Sequence, residues 1–590
     1  MTVSLMTSSP IPSHDIDTYN AANELLRSLV ELFDAGNGIG TFSHSIYDTA
    51  WVSMVSRAEP NGSRYRVFPE CFQFIYDAQL EDGSWRSPGC TNIHDAIINT
   101  LACLLSFKHH QRLGHTSCPL DLADRVEKAV SFLTGALKEW NSASVERIAF
   151  EMIIPRLLEL LDDEGINFDF PGRGPLYEVY MSKLKMVNLE GMYQPDALPT
   201  GILHSLEAFV GKCDFDRLRH HKRDGNFFGS PASTAAYLMS VSEWDGEAED
   251  YLRRVIQRFK SCGYSGAVST VWPTTVMEFA WPVCNLLESG FALENLDQHS
   301  LARIGDILCS YLTAGNGVIG VDSKALTALL HIDIGKPFPL DSLLNAFELP
   351  THFQCFKYER NPSVSANCHA LIAFLSHPEP EKYAKQILKV MYFLLNEYWS
   401  SKKLVLDKWH ASPWYPALLT TTAMTSFLHL SGQGRLQDTT ASDGNRLGVR
   451  LPLVLFKILS CILQTKNEDG SWGVNGNPEE TAYCVLSLAR LASLPCIGTK
   501  SFSKQIDLAI ASGRRYLKPW VSRKLEASSL IWIGKVLYSS ERVCRSYVIA
   551  ALHAPVPTYS PETLPCVDKS THYDRLFSID EDLATRFGGH

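Results

Sequence analysis

The chain has 590 residues, 45% hydrophobic and 20% charged, with 54 Lys and Arg against 64 Asp and Glu and a net charge of −10. That length suits roughly two to four domains with sizeable cores, and the absence of any basic block argues against a nucleic-acid partner. The 15 Cys fall without CxxC pairs or zinc-type His spacing, so they read as mostly reduced core residues of an intracellular protein.

The opening residues, MTVSLMTSSPIPSHDIDTYN, are polar and turn-rich and form neither a secretory signal nor an Arg-rich transit peptide. Residues 1–20 are expected to be disordered, and the protein to be cytoplasmic. No apolar run of about 18 residues suggests a membrane span. Apolar residues three and four apart predict helices over Asn23–Phe33, Ala149–Leu161 and Leu301–Leu312, while strand-like alternation is scarce. The fold class is all-α. Gln79-Leu-Glu-Asp82-Gly83-Ser84-Trp85 recurs as Gln464-Thr-Lys-Asn-Glu-Asp469-Gly470-Ser471-Trp472, each time between helices. Two copies in matching contexts imply two similar helical barrels, with each Trp clamped as a structural staple. His109-His110, His220-His221 and Asp162-Asp163-Glu164 read as surface features. Gly315–Leu330, GNGVIGVDSKALTALL, offers a Gly-rich turn, then Asp322, then a helix that Ser323 can cap. The segment after about Pro555 reads as a loose tail.

Ser45-Ile46-Tyr47-Asp48-Thr49-Ala50-Trp51-Val52 resembles the YDTAW signature of class II diterpene cyclases. It is joined in family order by Phe68-Pro69-Glu70-Cys71-Phe72, Leu203-His204-Ser205-Leu206-Glu207-Ala208-Phe209 and Ser230-Pro231-Ala232-Ser233-Thr234-Ala235-Ala236-Tyr237. Trp272-Pro273-Thr274-Thr275, Glu359-Arg360-Asn361-Pro362-Ser363-Val364, Asn367-Cys368-His369 and Asp407-Lys408-Trp409 follow. Within that family the chain is most similar to the N-terminal, cyclase half of fungal bifunctional copalyl diphosphate/kaurene-type synthases. The resemblance implies two α-barrel domains in the βγ architecture, with the class I α domain absent. First helices over 21–59 and residues 271–545 would form the β domain, an inserted barrel over 60–270 the γ domain, and 546–590 the tail. It also implies protonation-initiated cyclisation of geranylgeranyl diphosphate to a copalyl-type bicyclic diphosphate, with Mg²⁺ as cofactor. A prenyl diphosphate would be the substrate and a separate class I terpene synthase a downstream partner.

Protonating an alkene, a very weak base, needs a carboxylic acid that stays protonated in a dry pocket. The cation then needs aromatic walls. Trp272, Trp281, Tyr358, Trp399, Trp409 and Trp414 are candidates for that lining, or are core. The family uses Asp-X-Asp-Asp, and here only Asp322 stands in its place. With Lys324 near and no acidic neighbour, Asp322 is expected to ionise readily. A degenerate cyclase that only binds prenyl diphosphate, a different acid, and a gene model with a wrong exon edge all fit this shortened loop. Asn367 and His369 could hold a water as terminal base, and Lys408 could place a cation near the diphosphate. An exposed Asp407–Lys408 ion pair explains that motif as well. His204 and Glu207 could orient each other. No metal ligands are assigned.

Overall fold

The computed structural model describes residues 16–59, 63–87, 90, 92–113, 119–140, 150–197, 199–261, 263–314, 319–332, 340–356, 359, 361–436, 446–474, 476–494, 500–523 and 530–556. Tyr358 and residues 557–590 lie outside them, and residues 546–553, expected to belong to the loose tail, are instead the buried end of a helix.

Helix α1 (Ile16–Leu32) takes in residues expected to be disordered, because Tyr19 and Leu25 anchor its buried face. Five segments then close into a ring: α2 (Ile46–Ser53), α3 (Ile93–Arg112), α4 (Phe150–Asp163), a 3₁₀ segment (Gly201–Phe209) and α5 (Pro231–Ser240). Helices Pro69–Asp77, Leu122–Glu139, Arg173–Met186 and Gly246–Ser261 pack outside it. This first barrel encloses a core running from Ile46 to Trp272. The domain boundary drawn at 59/60 therefore falls inside a core, since α2 is buried along its whole length there.

The second barrel is built from α6 (Thr275–Glu288), α8 (Ile319–Ile332), α9 (Val364–Ser376), α10 (Trp414–Gly432), α11 (Pro478–Ala492) and α12 (Glu541–His553), each packed on the next until α12 returns to α6. Helix α7 (Gln298–Ala314), α1, and helices Ala384–Ser400, Arg446–Gln464 and Lys500–Leu517 form its outer layer. The predicted helices at 149–161 and 301–312 are α4 and α7, each within a few residues of the expected ends.

Both copies of the repeated turn do the same job, one in each barrel. Trp85 and Trp472 are fully buried, and their Nε1 groups donate to Ile75 O at 2.6 Å and Ile462 O at 2.7 Å. Gly83 and Gly470 take φ of 84° and 90°, and a Cβ on either would sit within 2.8 Å of the Lys128 or Ser512 carbonyl oxygen.

Short antiparallel strands join the two cores. β1 (His44–Ser45) pairs with β2 (Val268–Ser269), and β3 (Trp532–Ile533) with β4 (Leu537–Tyr538). The β3–β4 hairpin arises in the second barrel, yet Val536 at its tip packs in the first core. Its base bonds the loop before α10, with Ile533 N donating to Trp409 O at 2.8 Å and Ala411 N to Ile531 O at 2.7 Å. The N-terminal ends of α10, α11 and α12 thus gather where the first barrel begins.

Every described cysteine is a free thiol. One described helical window, Leu447–Gln464, is apolar and long enough to cross a membrane, with mean hydropathy 1.7, and half of it is buried against its neighbours.

Candidate active site

Helix α8 begins at Ile319, so Asp322 lies inside its first turn and Ser323 does not cap it. The expectation that Asp322 ionises readily is overturned. Burial pushes its carboxyl up to about 7, and Oδ1 has no hydrogen-bond partner. Lys324 does not help it, because residues two apart on a helix point about 200° apart. Lys324 Nζ instead reaches Glu288 Oε1 at 3.3 Å, while Asp322 lies on the side of α7, where its charge is felt by Tyr311. Glu288 also lies 3.9 Å from both His331 and Arg490. Burial works against the charge on Glu288, but the Lys324 and Arg490 cations help hold its pKa below the ordinary range, while burial lowers the pKa of His331 itself.

A polar aromatic cluster occupies the interior of the second barrel. Trp281 on α6 donates from Nε1 to the Tyr415 hydroxyl at 3.0 Å, and His369 Nε2 lies 2.8 Å from the same oxygen. His410 stacks on Tyr415 with centroids 4.6 Å apart, and Trp532 meets Tyr415 edge-on at 4.8 Å. At the start of α11, Glu479 Oε1 accepts from the Tyr483 hydroxyl at 2.6 Å and from Trp532 Nε1 at 3.0 Å. Glu479 is fully buried, and its Oε2 has no hydrogen-bond partner, although the Cys544 thiol lies close by. Burial raises Glu479 to about 7 in spite of these contacts. Burial lowers His410 to about 3 and His369 well below its usual value, so both rings are neutral.

The other sequence candidates divide. Trp272 is buried in the first core beside Tyr251, whereas Trp281 and Trp414 belong to the second. Trp399 is 56% exposed with the Arg450 guanidinium over its ring, which removes it from an interior lining. Trp409 is half-buried, with Nε1 on Cys355 Sγ at 3.4 Å. Asn367 does not hold a water with His369. Its side chain accepts from Phe353 N at 2.8 Å and donates to the Phe353 and Ser363 carbonyls, clamping the loop before α9. Asp407 caps α9 through Ser363 and Ser365, and Lys408 is buried with Nζ on Glu359 Oε2 at 2.7 Å. That pair is buried, not exposed, and the Lys408 charge is already matched. His204 and Glu207 do not bond each other: His204 Nδ1 faces Phe228 O at 3.2 Å, and Glu207 binds Lys535. His110 and His221 are buried rather than on the surface, on Ser53 O and Met192 O. Asp162 and Glu164 do sit at a helix end, paired with Arg173 and Arg112. Among the described residues no cluster of three or more His, Cys, Asp or Glu could hold a metal ion.

Two features escaped sequence reasoning. Glu479 sits in the first turn of α11, where an acid carries no signal beyond complementing the helix dipole. Lys535 went unnoticed, although a lone Lys in the apolar run Leu530–Tyr538 signals a buried partner.

No protein-family model matches the chain. It is 38% identical over 569 residues to the bifunctional premutilin synthase of Clitopilus passeckerianus, covering 94% of this chain and 57% of that protein. It is 37% identical over 580 residues to the copalyl diphosphate synthase of Talaromyces verruculosus, covering 95% and 59%. The chain thus spans little more than half the length of these relatives. Among solved structures, ent-copalyl diphosphate synthase from Streptomyces platensis superposes with a TM-score of 0.68 at 24% identity, covering 91% of this chain and 99% of that one. The fold is the one seen in that ent-copalyl diphosphate synthase structure. Over nearly all of its own length the chain resembles the copalyl diphosphate synthase region of fungal bifunctional diterpene synthases, as its motifs indicated. Relatives named for catalysis lend no support to the non-catalytic reading, and nothing found supports a separate class I partner.

Proposed function

We propose that this chain cyclises geranylgeranyl diphosphate by protonating its terminal alkene, and keeps the diphosphate to yield a copalyl-type bicyclic diphosphate. The observation that carries the reading is a buried carboxyl group inside an aromatic barrel, with an ordinary value lifted to about 7 and no cation beside it. Such a group holds its proton near neutrality, and the surrounding π faces of Trp281, Tyr415 and Trp532 stabilise a migrating cation without capturing it. Similarity to a copalyl diphosphate synthase over nearly the whole chain supports the same chemistry.

His369 is proposed as acceptor of the last proton. When Nε2–H is donated to Tyr415, Nδ1 is left as a buried acceptor with no partner. Two buried carboxyl groups, Asp322 and Glu479, remain as candidate donors at this stage.

The test is incubation of the purified protein with geranylgeranyl diphosphate, with and without Mg²⁺, followed by phosphatase treatment and product analysis. A bicyclic alcohol released only after phosphatase is expected. Recovery of geranylgeraniol alone rejects the proposal.

A further inference from the structure

We propose that the outward face of the outer helix Arg446–Gln464, together with Trp399, is a docking surface for an anionic lipid bilayer, on which the protein lies without spanning it. The proposal goes beyond the cyclase reading and needs no step of that chemistry.

An outer helix of a barrel ordinarily turns polar residues to solvent. This one does not. Val449, Leu453, Phe456, Ser460 and Leu463 fall within about 80° of one another around its axis, and Ser460 is the one polar member. Val449 is 53% and Phe456 41% exposed, and the other three are half-buried. The opposite side, with Leu451, Leu455, Ile458 and Ile462, is buried where the helix packs on α10, α11 and helix Ala384–Ser400. Apolar residues on both sides account for the mean hydropathy of 1.7 over Leu447–Gln464. Because the buried side belongs to the barrel core, the helix does not leave to cross a bilayer. The outward stripe, roughly 20 Å long, is the part that meets one.

Charge says what covers the stripe. The chain has a net charge of −10, yet residues 396–406 and helix Arg446–Gln464 hold five Lys and Arg against a single acid, Glu397. Arg450 lies over the Trp399 ring at 4.9 Å and donates to Asn396 Oδ1 at 3.1 Å. Lys457 Nζ donates to Tyr398 O at 3.0 Å and to Ser401 O at 2.5 Å. Both cations therefore bond neutral groups, and Lys402 and Lys403, next in the chain, are exposed. These contacts fix Trp399 and the basic groups along one edge of the stripe. The boundary between headgroups and acyl chains suits such an arrangement: aliphatic and aromatic groups enter it, while Lys and Arg reach lipid phosphates. A two-fold contact with a second copy is disfavoured, because it sets these same cations face to face.

The test is sedimentation of the purified protein with phosphatidylcholine vesicles, with and without phosphatidylserine, at low and high salt. Wild type is expected to sediment with the phosphatidylserine vesicles and to be released at high salt. K402Q/K403Q removes two exposed charges and lowers the partition coefficient at least ~10-fold. V449S/F456S lowers it at least ~10-fold at unchanged charge. Trp399 is the one exposed tryptophan among the described residues, so quenching by brominated acyl chains should be lost in W399F. Wild type left in the supernatant with both vesicles overturns the proposal. So does wild-type binding by V449S/F456S, or binding indifferent to phosphatidylserine and salt. A dimer in sedimentation velocity that V449S/F456S converts to monomer, with no vesicle binding, overturns it in favour of a second copy. If V449S/F456S melts early, K402Q/K403Q decides, since both lysines stand in solvent: undiminished binding counts against the proposal.

Discussion

Each barrel buries a fully enclosed glutamate, Glu207 in the first and Glu479 in the second, and the surroundings of the two differ by one cation. In the first, Lys535 enters from the hairpin tip and bonds Glu207 at 2.7 Å and Ser230 at 2.6 Å, with Asp48 3.7 Å away. Tyr47 and Ser233 complete Glu207, and Ser45 donates to Asp48. In the second, Glu479 has hydrogen bonds but no cation. The presence of one ammonium group decides whether a buried acid anchors the fold or keeps a transferable proton. Even beside Lys535, burial holds Asp48 up at about 6, which shows how strongly these interiors resist charge.

The sharpest way to break that contrast is Lys535→Met. It leaves Glu207 and Asp48 buried without their cation, so the protein loses about 3–5 kcal/mol. Denaturant unfolding should show the loss, and a change under about 1 kcal/mol would mean that the ammonium is dispensable to the first barrel. Asp322→Asn probes the uncompensated side. The folded value of Asp322, about 7, lies above its unfolded value of 3.8, so wild-type stability is complete below about pH 4 and declines until pH passes 7. The variant escapes that decline. Its melting temperature relative to wild type should rise between pH 4 and 7 and then level off, with an effect on the order of 4 kcal/mol. A difference that stays flat with pH contradicts the burial of a protonated Asp322.

Where local pattern decides the outcome, the sequence was readable. α4 and α7 follow from spacing of apolar residues, and the repeated Asp-Gly-Ser-Trp announced two barrels because both turns need the same left-handed glycine. Long-range partners were hidden. Lys535 meets Glu207 across 328 residues, and nothing near either position encodes the meeting. The direction of Asp322 depended on where α8 starts; beginning at Ile319 rather than at a Ser323 cap, the helix turns Lys324 to Glu288 and leaves Asp322 on the side of Tyr311 in α7. Trp399 carried the same aromatic signal as Trp281, yet one is solvent-facing and the other interior, because spacing alone does not say which outer helix has a neighbour. The motifs of the resemblance located the two barrels and the residues around Lys535, but no motif singled out Glu479.

The paired staples offer a smaller test of whether the barrels are equivalent. Trp85→Phe and Trp472→Phe each keep an aromatic ring and leave one buried carbonyl, Ile75 O or Ile462 O, without its donor. Each should cost about 1–3 kcal/mol. Both rings are fully buried and both backbone amides bond a threonine hydroxyl, at 3.0 and 2.9 Å, so similar losses are expected. Calorimetry checks this: losses differing by more than about 1.5 kcal/mol would mean that one carbonyl finds a new partner and that the turn is a staple in only one barrel. The smallest effect belongs to the surface. Arg450 lies 4.9 Å over the Trp399 ring, which is 56% exposed, so Arg450→Ala should cost at most about 1 kcal/mol and leave product formation unchanged. A fall in turnover would show that Trp399 serves the site from outside the barrel after all.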